Sequence, residues 1–83
     1  MDIVKGQIVR AKAGRDKGGY FVVFILDDAF AYICDGKSRK VEKLKKKKYI
    51  HLEPTKTIVE KELKTNREVK KVLREFISDE AGR

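Results

Sequence analysis

Seven consecutive apolar residues, Tyr20-Phe21-Val22-Val23-Phe24-Ile25-Leu26, follow directly on a six-residue stretch with three glycines, Gly14-Arg15-Asp16-Lys17-Gly18-Gly19. The run is rich in β-branched and aromatic residues and apolar on both faces, which is the pattern of a strand covered from two sides. Glycine allows the positive φ that a tight reversal needs, so the stretch before it reads as a turn between two strands. Asp16 is expected to hold that turn from inside by accepting backbone hydrogen bonds, leaving Arg15 and Lys17 to point outward. A chain with this centre must build a sheet around it.

The flanking segments supply the other strands. Ile3 to Ala13 alternates, with Val9, Ala11 and Ala13 on one face and Arg10 and Lys12 on the other. After Asp27-Asp28 comes a third strand, Ala29 to Cys34, and the Asp35-Gly36 pair that follows is a strong hairpin signal. A fourth, charged edge strand is expected from Lys37 to Lys43, with Lys45 to Lys48 as the next turn. Tyr49-Ile50-His51-Leu52 reads as a last short strand ended by Pro54. Five short strands joined by tight turns predict a mainly β protein built as a small, strongly bent antiparallel barrel over residues 1–54.

Beyond Pro54 the periodicity changes. Residues 55–64 form a connector in which Ile58, Val59 and Leu63 fit either a helical turn or an extended stretch. Thr65-Asn66-Arg67-Glu68 is a capping box, and Val69, Val72, Leu73, Phe76 and Ile77 then recur at helical spacing. A C-terminal helix is therefore predicted over residues 65–78, packed on the outer face of the second strand, with 79–83 as a tail.

At 83 residues the chain makes one small domain, with room for a binding surface and little for an enclosed active site. No stretch has the roughly 18 apolar residues of a membrane span. Met1 to Gly6 lacks the basic and apolar regions of a signal peptide, and Cys34 is the single cysteine. A cytoplasmic protein that does not engage membranes is the expectation. The net charge of +8 is unevenly placed. Five basic and five acidic groups balance over residues 1–36, whereas residues 37–48 carry eight basic groups against Glu42 alone. So concentrated a charge beside strands predicts a surface that faces a polyanion.

The ordered set Gly6-x-x-Val9, Gly14-Arg15-Asp16-Lys17-Gly18, an apolar strand, then Asp35-Gly36-Lys37, Arg39-Lys40, a lysine cluster and His51-Leu52 resembles the KOW motif. It is similar to the short bacterial KOW-domain RNA-binding proteins related to KOW-type ribosomal proteins of archaea and eukaryotes. The resemblance covers residues 6 to 54. It implies a five-stranded SH3-like barrel, with Gly14, Asp16, Gly18 and Gly19 as the KOW turn. It also implies a non-catalytic role in binding RNA, ribosomal RNA foremost, in ribosome assembly or translation.

The charge map fits that implication. Lys37, Arg39, Lys40 and Lys43, continued by Lys45, Lys46, Lys47 and Lys48, are the candidates for following a phosphate backbone, joined by Arg15 and Lys17 if the two turns lie at one end. Lysine is a point charge, so such a surface suits phosphate contacts and selection by RNA shape. Tyr49 and Tyr20 are candidates for stacking on bases, and His51 for a base or phosphate, each with a packing role as the alternative. Cys34 reads as a small buried hydrophobe. No catalytic set, metal-ligand spacing or phosphate-binding fingerprint is present in the sequence, so neither enzyme nor cofactor is expected. A monomer when free is expected, and ribosomal proteins are possible partners. The competing reading is a protein-interaction module that docks on a ribosomal or transcription complex through the barrel or the Val69 to Ile77 stripe.

Overall fold

The glycine turn makes the first hairpin of an antiparallel sheet. In the computed structural model, which describes residues 3 to 81, β1 (Gln7–Ala11) pairs with β2 (Tyr20–Leu26), Ile8 opposite Val22 and Val9 opposite Phe21. β3 (Phe30–Cys34) lies on the other side of β2, with Val22 opposite Cys34 and Val23 opposite Ile33. The register then slips by one residue, so that Ile25 faces Tyr32 and Leu26 faces Ala31. This bulge at Phe24 bends the strand.

The second half of the sheet departs from the sequence expectation. Residues 37–43 form no strand, because the Asp35 carboxylate accepts from the amides of Lys37 (2.9 Å) and Arg39 (2.8 Å). Those amides are thereby withdrawn from any ladder. The strand is instead the lysine run itself: β4 (Lys45–Lys48) pairs with β3, Tyr32 opposite Lys46 and Ala31 opposite Lys47. Tyr49–His51 is a 3₁₀ turn, not a strand, and β5 (Leu52–Ile58) follows, running straight through Pro54. Proline is tolerated there because β5 is an edge strand, and Pro54 opposes Val9 beside a register irregularity in the β1–β5 ladder.

The sheet order is β4-β3-β2-β1-β5. β4 and β5 are its two edges, and hydrogen bonds do not close it into a barrel. Even so, the sheet has two apolar faces. On the inner face Val9, Ala11, Phe21, Val23, Ala31, Ile33 and Leu52 form one buried cluster. On the outer face Ile8, Val22 and Cys34 are covered by Leu63 and by the helix α1 (Asn66–Ala81).

The helix begins where its capping box places it. The Glu68 amide donates to the Thr65 hydroxyl at 3.1 Å, and the Glu68 carboxylate accepts from the Thr65 amide at 3.0 Å. Of the apolar stripe, Val69, Leu73 and Phe76 are buried against β2, where Phe76 meets Tyr20 edge to face at 5.2 Å. Burial of such side chains contributes about 1.5–3 kcal/mol each. Ile77 at the margin of the stripe remains exposed. The helix runs to Ala81, past the residue where a tail was expected, while Gly82 and Arg83 lie outside the described residues, as do Met1 and Asp2.

Candidate nucleic-acid interface

The turn is built as its glycines require. Gly14 and Gly18 adopt φ of +79° and +89°, and the Gly18 amide donates to the Ala11 carbonyl at 2.8 Å while the Ala11 amide donates to the Gly19 carbonyl at 3.0 Å. Asp16 plays a different part from the one expected. Its carbonyl accepts from the Gly19 amide at 2.9 Å, but its carboxylate reaches out of the turn. It takes the Arg39 guanidinium through Nε at 3.2 Å and Nη2 at 3.1 Å, and the Lys47 ammonium lies 4.0 Å away. Lys47 Nζ also donates to the Ala13 carbonyl at 3.0 Å.

Two of the expected phosphate ligands, Arg39 and Lys47, are therefore engaged within the protein. Alternation explains the second. Lys45 and Lys47 stand opposite Ile33 and Ala31, residues of the inner cluster, so their stems turn inward, and Lys47 is only 9% exposed. Ala31 leaves room for that stem. Arg39, with its fork fixed on Asp16, ties the loop of residues 36–43 to the glycine turn. These bonds fasten the turn that carries Arg15 and Lys17 to both the lysine strand and the basic loop.

The remaining cations fall into neighbouring sets. Arg15 and Lys17 are exposed on the turn, and Lys37 is exposed on the loop. Arg39, Lys40, Lys43 and Lys45 line an open groove of about 410 Å³ with Ser38 and Leu44. Lys46 and Lys48 are exposed on the outer face of β4, where the Lys46 ammonium stands 4.2 Å over the Phe30 ring. Loop and helix are clasped together by Asn66, whose side chain accepts from the Val41 amide at 2.8 Å and donates to Glu42 at 2.8 Å. The second bond holds the Glu42 carboxyl below its usual range.

No protein-family model and no curated protein matches the chain.

The aromatic candidates are redistributed. Tyr20 is half-buried in the core against Phe76. Tyr49 packs against the inner cluster and donates its hydroxyl to the Asp27 carbonyl. His51 is half-buried, and its carbonyl accepts from the Lys12 amide at 2.8 Å. Two residues read from the sequence only as parts of a strand, Phe30 and Tyr32, are instead the partly exposed rings beside Lys46 and Lys48. The signal that would have found them is parity: Ala31 and Ile33 face inward, so Phe30 and Tyr32 face outward.

The neighbouring polar groups have structural explanations. Asp27 caps the β2–β3 reversal, accepting from the amides of Ala29 (3.0 Å) and Phe30 (2.8 Å) and from the Tyr32 hydroxyl (3.0 Å). The two amides hold its carboxyl below the usual range, and the bond to Asp27 pushes the Tyr32 phenol up. Cys34 is fully buried, and burial raises its thiol to about 12. As a neutral thiol it packs and does not react.

Proposed function

We propose that this protein is a non-catalytic RNA-binding module of the KOW-like kind, a bent SH3-like sheet that follows the phosphate backbone of a structured RNA. Ribosomal RNA is the partner we favour, with a role in ribosome assembly or translation. The observation that carries this reading is the joining of three separate cationic segments by the Asp16–Arg39 and Lys47–Ala13 contacts. Arg15 and Lys17, the groove of Lys40, Lys43 and Lys45, and the exposed Lys46 and Lys48 then supply phosphate contacts from a rigid base. Arg39 and Lys47 act as positioning residues. Preassembly of the charges spares the ordering entropy that a flexible basic tail would lose on binding.

Crosslinking protein to RNA inside cells with ultraviolet light, then sequencing the attached fragments, tests this reading. Crosslinks gathered at a few positions in ribosomal RNA are expected. Crosslinks scattered thinly over all transcripts, or none, would set it aside.

A second reading, a protein-interaction module, draws support from a different place. Ile25 and Ile58, 52% and 49% exposed, border an open groove of about 650 Å³ that also includes Phe24, Val59 and Lys61. The helix stripe favours it less, because Val69, Leu73 and Phe76 are already spent on the core.

A further inference from the structure

We propose that the uncovered part of the sheet's outer face is a stacking platform for unpaired RNA bases, formed by Phe30 and Tyr32 and flanked by Lys46 and Lys48. The inference rests on the RNA-binding reading and adds the chemical class of RNA: single-stranded segments with accessible bases. The outer face has two parts. The row Ile8–Val22–Cys34 lies under α1, whereas past the Phe24 bulge the register sets Ile25, Tyr32 and Lys46 side by side, with Phe30 opposite Lys48 in the adjoining row. Ile25 is 52% exposed and both rings are partly exposed, so among the described residues no element covers this second part.

The chemistry of the patch selects its occupant. Residues two apart on a strand are separated by about 6.5–7 Å, which suits bases splayed from an extended backbone. Every base has a π-face, and lysines beside the rings supply the counter-charge for the phosphates between them. Tyr32 is preorganised, since its hydroxyl bonds to Asp27 at 3.0 Å and fixes the ring. The Lys46 ammonium covers Phe30 in the free protein at 4.2 Å. A base arriving over that ring displaces it, and rotation of the lysine stem carries the charge to an adjacent phosphate. Asp27 and Asp28 border the platform at the β2–β3 reversal, so the phosphates run on the β4 side.

The test measures affinity of the full chain for a short labelled single-stranded RNA and for a duplex of the same sequence, by fluorescence anisotropy. Phe30→Leu and Tyr32→Leu should each weaken single-strand binding about tenfold or more and leave duplex binding nearly unchanged. Phe30→Tyr, which keeps the ring, should bind single strands like the unaltered protein, and Tyr32→Phe, which keeps the ring but frees it from Asp27, should lose much less than Tyr32→Leu. Equal single-strand affinity for the leucine variants, or an equal loss on both RNAs, overturns the platform. Should the leucine variants fail to fold, mass spectrometry of wild-type protein crosslinked to the single strand decides, with RNA attached at Phe30 or Tyr32 expected and attachment elsewhere overturning it. The two readings separate cleanly. If Lys46→Gln with Lys48→Gln weakens both RNAs while the leucine variants bind normally, RNA binding stands and the platform falls. If the wild type binds neither RNA, both fall.

Discussion

The Arg39 guanidinium closes on the Asp16 carboxylate through two hydrogen bonds, 3.2 and 3.1 Å, across 23 residues of chain. Asp16 is nearly buried while Arg39 keeps some contact with solvent, so the pair is neither a weak surface bridge nor a dry one. Its geometry needs a planar fork. Arg39→Lys should therefore cost about 1–2 kcal/mol of stability and lower RNA affinity with it, although Arg39 need not touch RNA. Denaturant unfolding of the variant checks the first part, and an RNA titration checks the second.

The lysine run offers a sharper contrast. Four identical residues in a row should respond differently: Lys47→Met removes the bond to Ala13 and the partner of Asp16 and is expected to cost about 1–3 kcal/mol. Lys46→Gln and Lys48→Gln should stay within about 0.5 kcal/mol of the unaltered protein. Thermal unfolding of the three single variants settles this. Near-equal midpoints would contradict the inward placement of Lys47.

Much of this architecture was legible in the chain, and the failures have two causes. β2 and the capped helix were readable because their signals are local: an unbroken β-branched run, and Thr65 with Glu68 three residues on. The second half of the sheet was not. Lys45 to Lys48 looks like a solvated turn because no local rule says that a lysine stem will lie over Ala31 and its ammonium will find Ala13 and Asp16. Asp35-Gly36 opens the loop that leads to β4 and not a two-residue hairpin, because the Asp35 side chain captured the amides that a strand at Lys37 would have used. Tertiary partners decided the lysine run, and a local side-chain turn decided residues 37–43. Of the site, the basic residues were legible as a group, and their division into positioning and exposed members was not.

Gly36 shows how tightly the loop meets the helix. It adopts φ of +77°, and a Cβ added there would run into the Asn66 carbonyl. Gly36→Ala should destabilise the protein by about 1–3 kcal/mol, through backbone strain and the displaced helix start. Gly18, at φ of +89° with open space where a Cβ would stand, should respond only to the strain and lose less. Comparison of the two unfolding midpoints distinguishes packing from dihedral cost.

The helix stripe makes a prediction against the protein-docking reading. Phe76→Ser exposes the Tyr20 edge and opens the cluster around Val22, so loss of the folded state is expected, at a cost of about 3–5 kcal/mol by analogy with large core deletions. Ile77→Ser, at an exposed position, should leave the fold intact. Circular dichroism of both is enough.

Cys34 gives a pH dependence with a definite sign. Its thiol titrates near 12 when folded, against 9.0 for an unburied thiol, so the unfolded chain loses this proton first. The contribution is complete below about pH 9 and fades as pH rises toward 12. Cys34→Val should flatten the alkaline fall in stability. Thiol reagents at neutral pH should label the unaltered protein only as fast as it unfolds.

Phosphate tracking is tested by the affinity of the protein for ribosomal RNA fragments as a function of salt, beside a variant with Lys40, Lys43, Lys46 and Lys48 changed to glutamine. With about six duplex phosphates engaged, wild-type binding should weaken about a thousandfold between 50 and 200 mM salt. The variant, with an unchanged unfolding midpoint, should bind more weakly and with a shallower slope. Affinity that ignores salt, or a folded variant that binds as the wild type does, would mean that these lysines do not follow an RNA backbone.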